Sequence, residues 1–257
     1  MKMFQVNRCW MLIKACGFLL ENISLTPAWL IHRRAWRETS LIMDVFTRDY
    51  GLVSVLAKGA LRGKRTQAGL LQPFLPFNVF WRGRTDLPVL NAVEPRGKAM
   101  QLSGRALYCG FYLNELLYYL LHRHDPHPGV FELYESTLAT LQSDQRIEKL
   151  LRGFELSLLE QMGYGLELEH EADSYTPLES GRHYHFIVEH GARPAVRPDA
   201  QTYSGSTLLA LAAGAVSGAD QQAEAKRLMR QIINHYLAGR TLKSRDLFKY
   251  AYGKPGS

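Results

Sequence analysis

Thr39-Ser40-Leu41-Ile42-Met43-Asp44-Val45-Phe46-Thr47, then Asp49-Tyr50-Gly51, then Leu52-Val53-Ser54-Val55-Leu56-Ala57 is the stretch on which the fold turns. Two runs rich in β-branched and aromatic residues flank a glycine turn, which is the pattern of a β-hairpin. Upstream, Trp29-Leu30-Ile31-His32 is another short apolar run. Downstream, Pro73 and Pro76 bracket the entry to Phe77-Asn78-Val79-Phe80-Trp81. Arg82-Gly83-Arg84-Thr85-Asp86 reads as a turn, and Val89-Leu90-Asn91-Ala92-Val93 as the last strand of the set. Five short strands in so compact a segment fit a small barrel such as an OB-fold, with a small open sheet as the plainer alternative.

After Pro95 the hydrophobic period lengthens from two to that of a helix. Tyr108, Phe111, Tyr112, Leu116 and Tyr119 share the face of a helix expected over 104–124, which Asp125-Pro126 ends. Further helices are expected from Pro128 to Gln142 and from Glu148 to Met162, the latter stopped by Gly163-Tyr164-Gly165, since glycine takes a left-handed cap without strain. Residues 166–203 are polar and rich in His, Pro and Gly, with one plausible strand at His183–Val188. Ser204 can cap a helix through Ala213, Gln221 to Leu237 reads as a basic amphipathic helix, and a last helix runs from Ser244 to Tyr250. The expected fold class is therefore α+β and multidomain: residues 1–25 as an extension outside the core, an N-terminal barrel over 26–103, and a mostly helical domain over 104–252.

The chain has 257 residues, 46% hydrophobic and 21% charged, an ordinary globular composition that excludes a collagenous or low-complexity chain. Its net charge of +7 is unevenly spread. Residues 1–105 hold 16 basic and 6 acidic residues, residues 106–225 hold 7 and 17, and residues 226–257 hold 8 and 1. Basic ends of this kind suit a polyanion, taken on one side of the molecule only. The run from Trp10 to Leu20 is apolar but broken by Lys14, and too short to span a bilayer. It reads as part of the extension in preference to a signal peptide or a membrane-contacting helix. Three cysteines, Cys9, Cys16 and Cys109, form no CxxC pair, so a disulfide framework is not expected and a cytoplasmic setting is.

Enzymatic signatures fail on inspection. Gly59-Ala60-Leu61-Arg62-Gly63-Lys64-Arg65 has one residue too few between its glycines for a phosphate-binding P-loop, and no hydroxyl follows its lysine. There is no G-x-S-x-G elbow, and His170-Glu171 lacks the second histidine of a zinc-protease helix. His122, His124 and His127, and separately His183, His185 and His190, can in principle hold zinc. Without cysteines or spaced carboxylates nearby they read better as solvated loop residues. Glu167 and Glu169 lie in a surface-like stretch. The expectation is no enzyme, no metal and no cofactor.

What remains is cationic. Lys58, Arg62, Lys64 and Arg65, interleaved with two glycines, follow directly on an apolar strand, giving a basic loop at the rim of a barrel. Arg33, Arg34 and Arg37 are read as a second cluster, in the first inter-strand loop. OB-folds bind single strands through such loops, with cations on phosphates and aromatics under bases, so Trp36, Tyr50 and Trp81 are stacking candidates, each weighed against a place in the core. A second basic surface is expected from Lys226, Arg227 and Arg230, which share one side of a helix, with Lys243 and Arg245 (and Arg240 and Lys249 nearby). A basic rim beside apolar residues suits an acidic, hydrophobic peptide tail or more nucleic acid.

The order of these pieces resembles the RecO family of bacterial recombination mediators and DNA-repair proteins. The resemblance is carried by Trp36-Arg37-Glu38-Thr39-Ser40, by Asp44-Val45-Phe46-Thr47 through Gly51 to Ala57-Lys58-Gly59-Ala60, and by Leu71-Gln72-Pro73-Phe74. It continues in Asn114-Glu115-Leu116-Leu117, in Arg152-Gly153-Phe154-Glu155-Leu156 running to Gly163-Tyr164-Gly165, and in Leu242-Lys243-Ser244-Arg245. It implies an N-terminal OB-fold and a helical C-terminal domain. It also implies binding of single- and double-stranded DNA and annealing of complementary strands coated with single-strand-binding protein (SSB). The implied partners are RecR, the acidic SSB C-terminal tail and, less directly, RecF and RecA, with no membrane and a nucleoid-associated place in the cytoplasm. Two departures are visible. Many relatives carry a four-cysteine zinc element between the helical segments, whereas 166–190 here has no cysteine, so a degenerate, metal-free insert is expected; and residues 1–25 precede the family pattern.

Overall fold

The computed structural model describes residues 25–62, 67–83, 85–143 and 146–252. All but Leu25 of the expected 1–25 extension lies outside them. Five strands, β1 (Thr26–Trp36), β2 (Ser40–Thr47), β3 (Gly51–Ala57), β4 (Phe77–Arg82) and β5 (Val89–Pro95), close a barrel in the order β1-β2-β3-β5-β4. β1 pairs with both β2 and β4, and the parallel contact of Leu56 with Val89 joins β3 to β5. The plainer alternative of an open sheet is excluded by that closure. The inward side chains, among them Leu30, Met43, Val45, Val53, Val55, Phe77, Val79 and Trp81, fill the barrel.

β2 lacks a polar-apolar alternation because both of its faces are covered. Its inward residues face the barrel core, while Phe46, with Trp29, Ile31 and Leu52, packs outward into a second core built on two helices. These are α1 (Gly104–Leu120) and α2 (Pro128–Leu141). Trp29 meets Tyr134 edge-on at 5.6 Å, and Phe46 meets Phe131 at 5.5 Å. The packing therefore does not part where the chain passes from strands to helices at Ser103. Asp44, the one carboxylate in β2, is buried but answered, accepting from Ser54 Oγ at 2.6 Å and Arg123 Nη1 at 2.9 Å.

Two differences from expectation have tertiary causes. β1 is eleven residues long rather than a short run, because its far end pairs Arg33 through Trp36 with Met43 back to Ser40. Helix α1 stops at Leu120 rather than 124 because the chain beyond is stitched to the β2–β3 hairpin. Arg123 bridges Leu52, and His124 donates its N–H to the Leu52 carbonyl at 3.1 Å. Gly51 makes that stitch possible: at φ +67° it takes a left-handed turn, and a Cβ there would lie 2.1 Å from the Asp125 carbonyl oxygen.

The rest of the body holds α3 (Ile147–Gln161), α4 (Gly205–Ala212), α5 (Ala219–Tyr236) and α6 (Lys243–Tyr252). Ser204 caps α4 by accepting from Thr207 N–H at 3.2 Å. Where the sequence shows one plausible strand, the structure has three: β6 (His183–Ile187), β7 (Gly191–Pro194) and β8 (Thr202–Ser204), in the order β7-β6-β8. Leu168, Leu178, Tyr184, Phe186, Ala192 and Tyr203 pack this sheet against α4 and α5. The cysteine-free insert thus shares one apolar core with α4 and α5.

Candidate nucleic-acid interface and basic cavity

Pairing brings three loops to one end of the barrel. The β1–β2 turn at Arg37–Thr39 lies beside the start of the basic loop, since Leu41 pairs with Ala57, Leu61 N–H donates to the Thr39 carbonyl at 3.0 Å and Gly59 N–H reaches Ser40 Oγ at 3.4 Å. The β4–β5 loop joins them, because Leu56 pairs with Val89 and donates to the Pro88 carbonyl at 2.8 Å. The described parts of the two basic clusters, with Arg37 on the β1–β2 turn and Lys58 and Arg62 after β3, therefore share this end.

Arg34, Arg37, Lys58 and Arg62 are exposed there, and so is Trp36, whose 42% exposure leaves the indole free to stack. Lys64 and Arg65 lie outside the described residues. Arg33 and Arg34 belong to β1, not to an inter-strand loop as expected, and Arg33 is engaged: its Nη1 donates to the Leu71 carbonyl at 2.8 Å. Trp81 is enclosed in the barrel and met edge-on by Tyr50 at 5.3 Å, so that pair belongs to the packing rather than to a stacking platform. Sequence reading passed over Arg82, exposed at the head of the β4–β5 loop. The signal was its place in the fourth connection of a five-stranded barrel, a connection this fold uses for ligands.

The second basic surface is a cavity of about 300 Å³ between α1, α3, α5 and α6. Tyr108 and Tyr112 of α1, Leu151 of α3, Val216 of the connection before α5, and Phe248 of α6 supply apolar walls. Cations arrive from every side: Arg105 on α1, Lys149 and Arg152 on α3, Lys226 and Arg230 on α5, Arg245 and Lys249 on α6. Among the described residues lining it, Glu148 is the only carboxylate, and Arg105 pairs with it at 2.6 Å. α6 is held in place by Glu115 of α1, whose carboxylate accepts from Lys243 N–H at 3.0 Å, from Ser244 N–H at 2.8 Å and from the Ser244 hydroxyl. A carboxylate at a helix N-terminus satisfies open N–H groups and complements the dipole. Burial pushes the Cys109 thiol up to about 11, so this cavity residue is no thiolate nucleophile near neutral pH.

Of the five residues expected on this surface, Lys226, Arg230 and Arg245 line the cavity together. Arg227 does not share their side. Its guanidinium stacks on Tyr203 at 4.1 Å from the ring centre and donates to the Thr202 and Ala200 carbonyls, tying α5 to β8. Lys243 is exposed at the start of α6 but is not among the lining residues. Lys149 and Arg152 were missed because they sit in the acidic middle of the chain, where averaged charge hides cations that the fold gathers, and Arg105 because it stands apart from the basic clusters of the N-terminal segment. Among the described residues no three His, Cys, Asp or Glu side chains come together as a metal site, and no helix is long and apolar enough to cross a membrane.

A closed barrel in this strand order, joined to a helical body and bearing two cationic surfaces, defines an OB-type barrel protein. Comparison with known proteins makes the assignment specific. The family model described as Recombination protein O N terminal matches residues 22–98, and that described as Recombination protein O C terminal matches residues 101–246. The chain is 48% identical over 229 residues to the DNA repair protein RecO of Methylococcus capsulatus, covering 89% of this chain and 94% of the relative. It is 43% identical over 227 residues to that of Halorhodospira halophila, covering 87% and 95%, and 41% identical over 234 residues to that of Azoarcus sp. strain BH72, covering 89% and 96%. The chain belongs to the RecO family of DNA repair proteins.

Proposed function

We propose that this protein is a recombination mediator that binds single- and double-stranded DNA, anneals complementary strands coated with SSB and, with RecR, helps RecA load at gaps. The observation that carries the reading is the meeting of three loops at one barrel end, with Arg34, Arg37, Lys58 and Arg62 around an exposed Trp36. Cations that neutralise phosphates hold a strand without reading its sequence, leaving base edges free to pair. The basic cavity suits the acidic, apolar C-terminal tail of SSB, its aromatic walls taking the apolar end and its rim the acidic residues. Tethering SSB-coated strands in this way raises the local concentration of complementary strands. The family resemblance carries the partners RecR, RecF and RecA, and a nucleoid-associated site in the cytoplasm.

The test is annealing of complementary strands precoated with SSB, titrated with the protein at two salt concentrations. Salt-sensitive acceleration is expected, and four to six neutralised phosphates give a slope of log K on log salt of about −3 to −4 for single strands. Simultaneous charge reversal at Lys58, Arg62, Lys64 and Arg65 should abolish DNA binding while leaving the fold intact. Normal annealing by that variant overturns the assignment of the loop.

A further inference from the structure

In the register of β1 with β2, Trp36 pairs with Ser40, Arg34 with Ile42 and His32 with Asp44. These three alternate residues of β1 therefore share the face turned away from Met43 and the barrel core, and all three are exposed. The face runs on from β1 to the helical body. Asn114 Nδ2 of α1 donates to the Ile31 carbonyl at 3.3 Å. That bond sets Tyr118, one helical turn further along, beside His32, with the two rings 5.1 Å apart. Tyr119 follows at 5.1 Å from Tyr118. Arg240, from the connection between α5 and α6, lies over the Tyr119 ring at 5.8 Å and donates to the Tyr119 carbonyl at 3.4 Å.

We propose that this line of side chains is a single-strand track: DNA held at the barrel end continues along β1 and over α1, with bases against His32, Tyr118 and Tyr119 and phosphates on Arg34 and Arg240. The inference rests on reading the barrel end as a DNA site, and it adds a portion on the helical body. Tyr118 and Tyr119 lean on the core shared by α1 and α2 yet stay half-buried. Rings at a surface with a guanidinium over them offer π faces and charge together, the combination by which proteins hold single strands of any sequence. Arg34 and Arg240 are exposed and form no ion pair among the described residues. Arg123, over Tyr118 at 5.9 Å, is partly spent on the buried Asp44 at 2.9 Å. That pair neutralises the carboxylate beside the line, which would otherwise repel phosphate. From Trp36 to His32 an extended strand covers about 13 Å, and α1 lengthens the line further, so occupancy of its far end depends on the length of the DNA.

The alternative is that Tyr118 and Tyr119 serve packing alone. Packing predicts the same loss on every DNA when a ring is removed. The track predicts a loss confined to single strands long enough to reach α1, since a duplex keeps its bases stacked on one another.

The experiment uses the full chain as wild type, Tyr118→Leu, Tyr118→Phe and Arg240→Gln, with circular dichroism as a check on the fold. Each is titrated with fluorescent oligothymidylates of about 6 and about 15 nucleotides, within the span of single-strand sites on OB-folds, and with a duplex of about 15 base pairs. Tyr118→Leu should lose about fivefold or more on the longer strand, the worth of one stacked base, and less than about twofold on the shorter strand and the duplex. Tyr118→Phe, which keeps the ring, should bind as the wild type does. Arg240→Gln should make the slope of log K on log salt for the longer strand shallower by about 0.7, one phosphate contact fewer. Longer-strand binding by Tyr118→Leu and Arg240→Gln equal to wild type overturns the inference. So does an equal loss on all three DNAs, the mark of a merely structural role, and so does a Tyr118→Phe as weak as Tyr118→Leu. A wild type that binds no single strand refutes the barrel-end reading itself and the inference with it, an outcome visible before any variant is made.

Discussion

Replacing Glu115 by alanine removes the acceptor of all three hydrogen bonds that seat α6, those from Lys243 N–H, Ser244 N–H and the Ser244 hydroxyl. The other ties of the helix are peripheral: among its ten residues only Ser244 is buried, Phe248 and Tyr252 approach Tyr108 edge-on at 6.2 and 5.7 Å, Arg105 lies over Phe248 at 5.7 Å, and Arg245 lies over Tyr112 at 5.6 Å and donates to Asn234 Oδ1 at 2.7 Å. Losing a helix cap costs about 0.5–2 kcal/mol, and losing its charge beside the helix dipole about 0.3–1 kcal/mol more. Water can reach the freed Lys243 N–H, because Lys243 is exposed and Glu115 only partly buried, whereas Ser244 is buried, so the loss is offset at one donor and the three bonds do not add in full. An expected cost of about 2 kcal/mol raises the open population of α6 by a factor of about 30. Hydrogen exchange should therefore show amides of residues 246–252 losing about 30-fold in protection while α1 and α5 keep theirs, the signature of local rather than global opening. Because α6 supplies Arg245, Phe248 and Lys249 to the cavity, affinity for an acidic peptide should fall several-fold in parallel. Unchanged exchange in α6 refutes the claim that Glu115 seats it. Uniform loss across all helices refutes the claim that α6 opens on its own.

Three further outcomes are expected. Trp36→Ala should weaken single-stranded DNA binding by about 1–3 kcal/mol, the usual worth of one stacked base, with less effect on duplex binding; equal affinity in a fluorescence titration removes the indole from the interface. Arg227→Ala should lower stability in urea denaturation through loss of the Tyr203 stack and two carbonyl bonds, yet leave peptide affinity at the cavity unchanged; a stable variant with weakened peptide binding returns Arg227 to the cavity surface. Burial pushes the Glu155 carboxyl above its ordinary value of 4.5, against the opposing pull of Arg152 and the Tyr112 hydroxyl. The folded state then holds this proton more tightly than the unfolded chain, so the stability it contributes is full below about pH 4.5 and lost as pH rises. The unfolding free energy of Glu155→Gln relative to wild type should thus improve as pH climbs from 4.5 toward neutrality, and a flat or falling difference shows that Arg152 outweighs burial.

Much of the architecture is legible in the chain because it is local. The run from Thr39 to Ala57 announces a hairpin through its β-branched residues and glycine turn, and Gly163 marks the end of α3 within a residue or two. Ser204 shows itself as a cap because its hydroxyl needs only the next turn of chain. The barrel-end cations were legible in part, since they cluster in sequence. That Arg33, exposed like Arg34, also ties its Nη1 to the Leu71 carbonyl was not, because it depends on a residue thirty-eight positions away.

By itself, then, the sequence determined the strand-then-helix order, the charge asymmetry, the basic loop after β3 and membership in the RecO family. Periods of 2 and 3.6 residues, together with turn and cap chemistry, are written in neighbouring side chains. Tertiary structure alone decided that α1 ends at Leu120 against the β2–β3 hairpin, and that three barrel loops share one end. It alone turned Arg227 away from Lys226 and Arg230, and assembled seven cations from residues 105 to 249 around one cavity. Those outcomes depend on which helices pack together and at what rotation, a property of the whole core that spacing along the chain does not encode.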